Sequence, residues 1–331
     1  MKAFVIDSYR APLRAAEVAE PTVGEHDVLV EIRAAGVNQL DVLLMSGVFK
    51  QFLAYRPPFA LGHDLAGVVT RVGAGVTGLA VGDEVYAKVR DLRIGTFAER
   101  IAVNEADVAL KPRTVSFEEA ASLPLVALTA WQALVEIGQV KPGQQVLIHA
   151  GAGGVGTIAI QLAKHLGARV ATTASAATAD WLRTLGADVV IDYRTEDFSQ
   201  LMHGYDLVLD SLGGENLEKS LRILKPGGKA IGISGPPTPA FAAAAGLNPI
   251  VRLVIAARSA KVRRLAKKLG VSYDFLFMAH SGRQLTQLAA LVDAGTLRPI
   301  VGKTFGFDQT PEAVAALIKG GTPGKVVISR G

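Results

Sequence analysis

The chain has 331 residues, 50 % of them hydrophobic and 20 % charged, which is enough for two cores and excludes a disordered polymer. It contains no cysteine, which excludes disulfides, thiolate metal ligands and a cysteine nucleophile, and suits a reducing compartment. Its formal charge of +5 comes from one stretch, Arg252 to Lys268, which is rich in Arg and Lys and has no acid, so a chain-wide nucleic-acid footprint is not expected.

The apolar start Ala3–Ile6 is interrupted at Asp7, too soon for a signal-peptide core. Val28, Val30 and Ile32 alternate with Leu29, Glu31 and Arg33, as a half-buried strand requires. A short helix is expected from Asn38 to Met45, with Asn38 as its N-cap. Pro57-Pro58 forces an extended loop, and Leu65–Val72 and the turn Val81–Tyr86 continue a β-rich region to about residue 117. From Ser116-Phe117-Glu118-Glu119, which has the form of a capping box, strands and helices alternate, which implies a parallel sheet. Strands are expected at Gln145–His149, Ala168–Thr173, Asp188–Ile191, Tyr205–Asp210 and Lys229–Ser234. The longest uncharged stretch, Ala230–Val251, carries Pro236, Pro237, Pro239 and Pro249, which argues against a spanning helix. A basic helix follows, then an apolar strand at Tyr273–Met278, a helix at Gln284–Asp293, a strand region at Pro299–Phe307, a helix at Pro311–Lys319 and a last strand at Lys325–Ser329. No membrane partner is expected, and the location expected is cytoplasmic.

The strongest chemical signal is the run His149-Ala150-Gly151-Ala152-Gly153-Gly154-Val155-Gly156. It follows an apolar strand and opens a helix, the context that makes G-x-G-x-x-G a dinucleotide fingerprint. Gly151 is expected to permit the tight turn, Gly153 to admit the pyrophosphate to backbone N–H groups, and Gly156 to let the helix pack on the strand. The second strand ends in Thr173-Ala174-Ser175 with no carboxylate before Asp180. A carboxylate would repel a 2′-phosphate, whereas Ser175 can hydrogen-bond one, so NADPH is the cofactor expected. Arg183 and Arg194 are the candidate cations for that phosphate.

Taken together, Ala34–Asn38, Gly62-His63-Asp64-Leu65-Ala66-Gly67, Val81–Val85, Leu128-Thr129-Ala130, Gly151–Gly156, Leu185–Asp188 and Lys225-Pro226-Gly227-Gly228 make the chain resemble the medium-chain dehydrogenase/reductases over its whole length. The branch it resembles is that of the zinc-less quinone oxidoreductases. The resemblance implies an α/β architecture: a GroES-like β-barrel catalytic domain (1–117 and 280–331) and a Rossmann doubly wound parallel-sheet domain (118–279). It also implies a homodimer paired through Tyr273–Met278. Zinc-dependent members place ligands at positions that here look like Asn38 and Leu123–Ala127, with only His63 surviving, so no metal is expected; a zinc site needs about three protein ligands. The resemblance further places Asn38 at nicotinamide and substrate, Thr129 at the carboxamide and Tyr193 near the 2′-phosphate. Ser211 and Ser234 line the cofactor site, and Gly324-Lys325 lies in a loop that closes on it. The lysine that NADPH-binding members often carry near Ala179 is absent.

Without zinc, alcohol oxidation lacks its Lewis acid, and what remains is hydride transfer to an electron-poor acceptor. The expected activity is NADPH-dependent reduction of a small quinone or α,β-unsaturated carbonyl, with Asn38, Tyr55 and His63 as candidate catalytic groups. Tyr55 could donate to the acceptor oxygen or simply pack beside Pro57. Two alternatives stand beside this reading: a 2-enoyl thioester reductase, and a non-enzymatic NADPH-binding protein with a structural or RNA-linked role. The basic run reads either as a solvated helix face or as a patch for an anionic ligand; it has no interleaved aromatics, so single-strand stacking is not expected.

Overall fold

Alternating apolar residues build the 11-residue strand Asp27–Val37, with Val28, Val30 and Ile32 in the core. In the computed structural model, which describes residues 1–50, 53 and 55–331, this strand lies in the middle of the first of two units. That unit comprises Met1–Leu128 and Ala279–Gly331; the second is Thr129–Met278.

The chain begins with β1 (Lys2–Ile6), β2 (Arg14–Glu17), β3 (Asp27–Val37), α1 (Gln39–Ser46), β4 (Phe59–Ala60), β5 (Asp64–Val72), β6 (Glu84–Lys88), β7 (Arg100–Asn104) and β8 (Val108–Leu110). Helices α2 (Phe117–Ala121) and α3 (Pro124–Trp131) follow. The capping box at Ser116 is present: Ser116 Oγ accepts from Glu119 N–H, and the Glu119 carboxylate accepts from Ser116 N–H. Helix α2 stays with the first unit because Ser329 donates to its Glu118, so the division falls after Leu128, beyond the change of rhythm at residue 117.

The second unit contributes β9 (Gln145–Ile148), α4 (Gly154–His165), β10 (Arg169–Ala174), α5 (Ala179–Thr184), β11 (Val189–Asp192), α6 (Phe198–Leu201), β12 (Tyr205–Asp210), α7 (Gly214–Ile223) and β13 (Leu224–Gly232). Helices α8 (Pro239–Ala244), α9 (Pro249–Arg258) and α10 (Ala260–Leu269) lead to β14 (Ser272–Phe275). Its strands run parallel in the order β11-β10-β9-β12-β13-β14. The order reverses direction between β9 and β12, which is where a doubly wound sheet opens a ligand crevice at its carboxyl edge.

Two expectations shift here. The strand expected at Tyr273–Met278 ends at Phe275, because its neighbour β13 stops at Gly232 and offers no further ladder. The basic segment is two helices rather than one. Ser259 breaks it, donating its hydroxyl back to the Ile255 carbonyl, a bond that competes with regular helix continuation.

The chain then returns to the first unit with α11 (Gly282–Asp293), β15 (Val301–Gly306), α12 (Thr310–Lys319) and β16 (Lys325–Ser329). Strand β16 pairs antiparallel with β3, Val326 opposite Val37, so the two chain ends share one sheet in the order β15-β16-β3-β5-β6-β8. Strands β3 and β5 approach closely at Gly67, where a Cβ would stand 2.1 Å from the Glu31 carbonyl oxygen. Replacing Gly67 by Ala must therefore displace backbone. The variant is expected to lose about 1–3 kcal/mol of stability, a typical overpacking cost, read as a lower urea midpoint with an unchanged slope.

Candidate functional site

In the first unit, five polar side chains form one buried network. Asn38 precedes α1 in an extended conformation, the geometry of an N-cap, but its side chain does not cap the helix. Its Nδ2 donates to Asp64 Oδ2 at 2.9 Å, and its Oδ1 accepts from the Lys325 ammonium at 2.5 Å. Lys325 also donates to the Val37 carbonyl at 2.9 Å and lies 3.5 Å from Asp64 Oδ2. The other Asp64 oxygen accepts from Leu125 N–H. Asp41, at the third helical position, accepts from Asn38 N–H and binds His63 Nδ1 at 2.5 Å. All five residues are buried, and His63 Nε2 has no partner among the described residues. Burial pushes the Asp64 carboxyl up and the Lys325 ammonium down, while the attraction between the two opposes both shifts.

Asp41 was not singled out in the sequence. Its signal was the capping-box spacing, three residues after Asn38. Lys325 was placed in a closing loop; it is the first residue of β16 with its ammonium turned inward, while Gly324 before it takes φ +75° and would clash with Ile300 if it carried a Cβ. The Tyr55 ring is buried in the core and stacks on Phe59 at 4.9 Å. Its hydroxyl accepts from Leu92 N–H at 2.7 Å, and burial pushes its ionisation up. Of the loop Gly47–Tyr55, residues 51, 52 and 54 lie outside the described residues.

In the second unit, β9 delivers His149 and the glycine loop. The tight turn expected at Gly151 takes its positive φ at Ala150 instead, at +52°. Gly151 is required for a different reason: its Cβ would stand 2.1 Å from Thr172 Oγ1. A Cβ on Gly156 would stand 2.4 Å from the Ala150 carbonyl oxygen, so the first turn of α4 packs directly on the loop. Gly153 is the N-cap and has no side chain to cap with. The first-turn N–H groups, Gly154, Val155 and Gly156 among them, are thereby left for an anion.

The remaining candidates surround the carboxyl edge of this sheet. Ser211 follows β12 and donates to the His149 carbonyl at 3.3 Å. Ser234 is exposed after β13, and Gly213 lies so close to it that a Cβ would stand 2.8 Å from the Ser234 carbonyl oxygen. Ser175 follows β10, half-buried, and Tyr193 follows β11, 59 % exposed, with its N–H on the Ala174 carbonyl at 3.2 Å. Arg194 holds its guanidinium 5.8 Å from the Tyr193 ring centre. Arg183 is instead matched to Asp180 at 2.6 Å, which leaves Arg194 as the cation at this strand end. Thr129 is buried on α3.

The residues of the second unit fit a dinucleotide phosphate: glycines at close approach, uncapped N–H donors, and Ser175, Tyr193 and Arg194 at the end of β10 and β11. The first unit does not fit zinc. His63 Nδ1 is taken by Asp41, and an ammonium already sits on Asn38 Oδ1 and beside Asp64, where a divalent ion would meet like charge. No group of three or more His, Asp or Glu among the described residues is placed to hold a metal.

Residues 24–113 match the family described as alcohol dehydrogenase GroES-like domain, and residues 185–328 that described as zinc-binding dehydrogenase. The mitochondrial NAD(P)H oxidoreductase RTN4IP1 of Danio rerio is 34 % identical over 99 % of this chain and 91 % of its own. The chloroplastic NADPH-dependent alkenal/one oxidoreductase of Arabidopsis thaliana is 34 % identical over 94 % of this chain and 74 % of its own. Among solved structures, the quinone oxidoreductase from Coxiella burnetii superposes with a TM-score of 0.86 at 31 % identity, covering 99 % of both chains.

His149, directly before the loop, is buried between Thr173 Oγ1 on Nδ1 and Ser220 Oγ on Nε2. Burial holds its pKa down at about 4, against 6.5 ordinarily. The unfolded chain therefore binds more protons between these values, and stability falls as pH drops from about 6.5 to about 4, by roughly 3 kcal/mol in full. Urea midpoints measured across that range are expected to fall further in the natural chain than in His149→Asn, where the loss left by His280, also held down by burial, persists.

Proposed function

The chain belongs to the medium-chain dehydrogenase/reductases, in the branch of zinc-less quinone and enone reductases, and on that premise we propose that it reduces small quinones or α,β-unsaturated carbonyls with NADPH. The observation that carries the reading is the conjunction of a glycine loop built for a dinucleotide with an ammonium standing where a catalytic metal would need ligands. NADPH bound at the loop supplies a hydride.

The protein's part is to bind, orient and stabilise charge. Backbone N–H groups of Gly154, Val155 and Gly156 receive the pyrophosphate, and Ser175, Tyr193 and Arg194 receive the 2′-phosphate. Ser211, Ser234 and Thr129 complete the cofactor side. On the acceptor side an oxygen gains negative charge and needs donors fixed in advance. The Asn38 amide is held in one orientation, because Lys325 donates to its oxygen while its nitrogen donates to Asp64 at 2.9 Å and, at a longer 3.4 Å, to the Gly36 carbonyl; the longer of these two bonds is the one an acceptor oxygen would compete for. Tyr55 keeps its phenolic proton through neutral pH, since burial disfavours the phenolate, so it is proposed as a hydrogen-bond donor to the developing oxyanion, with the proton that completes reduction taken from solvent. His63 acts through Asp41, holding the first turn of α1, and is a positioning residue.

We further propose a cytoplasmic homodimer. Strand β14 lies at the edge of its sheet, a bare edge that proteins cover. A groove of about 540 Å³ runs beside it, lined by Phe241, Asp274 and Phe275. Light scattering on the purified chain is expected to give twice the mass of one chain; a monomer would remove this part of the reading.

Turnover is tested by NADPH oxidation against a quinone, a small enone and a crotonyl thioester. Quinone or enone is expected to be reduced fastest, and chelator to leave the rate unchanged. Fastest reduction of the thioester would move the assignment to acyl substrates. Ser175→Asp is expected to cut the preference for NADPH over NADH about tenfold or more, and Arg194→Ala to weaken NADPH about tenfold while leaving NADH unaffected, the scale of one charge-assisted hydrogen bond.

A further inference from the structure

Helix α9 turns an apolar ridge to solvent. Ile250, Leu253, Val254 and Ala257 recur at spacings of three and four, so they share one side of the helix. That side lies roughly opposite Ile255, the buried residue of α9. Ile250 is 77 % and Leu253 72 % exposed, the highest values among the large hydrophobic side chains described. Burying such residues in water-free surroundings is favourable, so the ridge calls for an occupant.

The charge around it narrows the choice. Arg252 and Arg258 lie on α9, and Lys261, Arg263, Arg264, Lys267 and Lys268 on α10, with no acid between them. Only Lys261 of this run has an acidic partner among the described residues, Glu218 at 2.5 Å. A second copy of the chain would bring the same cations to the contact, and like charge opposes that. A nucleic acid would engage the cations but leave the ridge in water. An anionic lipid surface answers both features, with phosphates for the cations and the headgroup–acyl boundary for the ridge.

We propose that α9 and α10 dock the protein on the surface of an anionic bilayer. Crossing the bilayer is a different matter: no helix among the described residues is long and apolar enough for that. The use of such docking rests on the reductase reading, since conjugated acceptors that partition into lipid would be met there, but the binding itself does not depend on catalysis.

The test is co-sedimentation of the full chain with vesicles of phosphatidylglycerol and phosphatidylcholine, and with phosphatidylcholine alone. Binding is expected to be about tenfold stronger on the anionic vesicles and to weaken with salt. It is expected to fall about tenfold in Ile250→Ser/Leu253→Ser and in Lys267→Glu/Lys268→Glu, with NADPH–quinone turnover in solution unchanged. Equal binding to both vesicles, or none, overturns the proposal. So does anionic-vesicle binding that ignores the ridge substitutions, or polyglutamate or RNA bound as tightly as vesicles and equally indifferent to them. A dimer that dissociates in Ile250→Ser/Leu253→Ser also overturns it, by showing a second copy on the ridge. Wild-type chain that binds vesicles but turns over no acceptor would instead remove the reductase reading and leave the docking standing.

Discussion

Lys325 brings a positive charge from the last strand into the buried end of β3, and much of the first unit is arranged around it. The ammonium bonds Val37 and Asn38 and faces Asp64, so one side chain joins β16, β3, the start of α1 and the start of β5. A buried charge is costly unless its partners are close and its donors satisfied; here the partners are the very residues that flank the candidate site. The same ion holds Asn38 in one amide orientation and places like charge beside Asp64, where a divalent ion would be repelled.

The second unit depends on steric economy instead of charge. Its loop is tight because Gly151 lies against Thr172 and Gly156 against Ala150, and the left-handed conformation falls on Ala150. An alanine at positive φ stores a small strain of order 1 kcal/mol. Two surroundings hold it there: Thr173 Oγ1 accepts the Ala150 N–H at 3.1 Å, and His149 is locked between Thr173 and Ser220. The neutral imidazole is therefore a support of the loop, one that protonation below its lowered pKa would weaken.

The dinucleotide loop, the parallel sheet that carries it and the capping box at Ser116 were legible because their signals are local, with glycine spacing, strand apolarity and helix caps all lying within a few residues of one another. Other features were not. Asn38 was recognised as a cap, and its backbone is one, but its side chain answers to Lys325 and Asp64 across large separations in the chain. The roles of Gly151 and Ala150 could not be separated by spacing, since a close approach and a positive φ both select for glycine, and here the positive φ falls on an alanine. The basic run reads as helix throughout, and the break at Ser259 depends on a hydroxyl choosing a carbonyl of the preceding turn.

The missing cysteines, the Gly-rich run after β9 and the absence of an acid before Asp180 pointed, from the sequence by itself, to a dinucleotide site suited to NADPH and a chain without thiolate metal ligands, while the reduction itself was implied by the family resemblance; composition and local spacing suffice for the former, because they bar or permit particular chemistry outright. Only the tertiary structure decided what Lys325 and Asp64 do to Asn38, which arginine at the end of β11 has no acidic partner among the described residues, and that Ile250 and Leu253 face water beside a field of cations. Those outcomes depend on side-chain direction and on contacts between distant strands, and no periodicity along the chain encodes where an ammonium or a ridge will finally point.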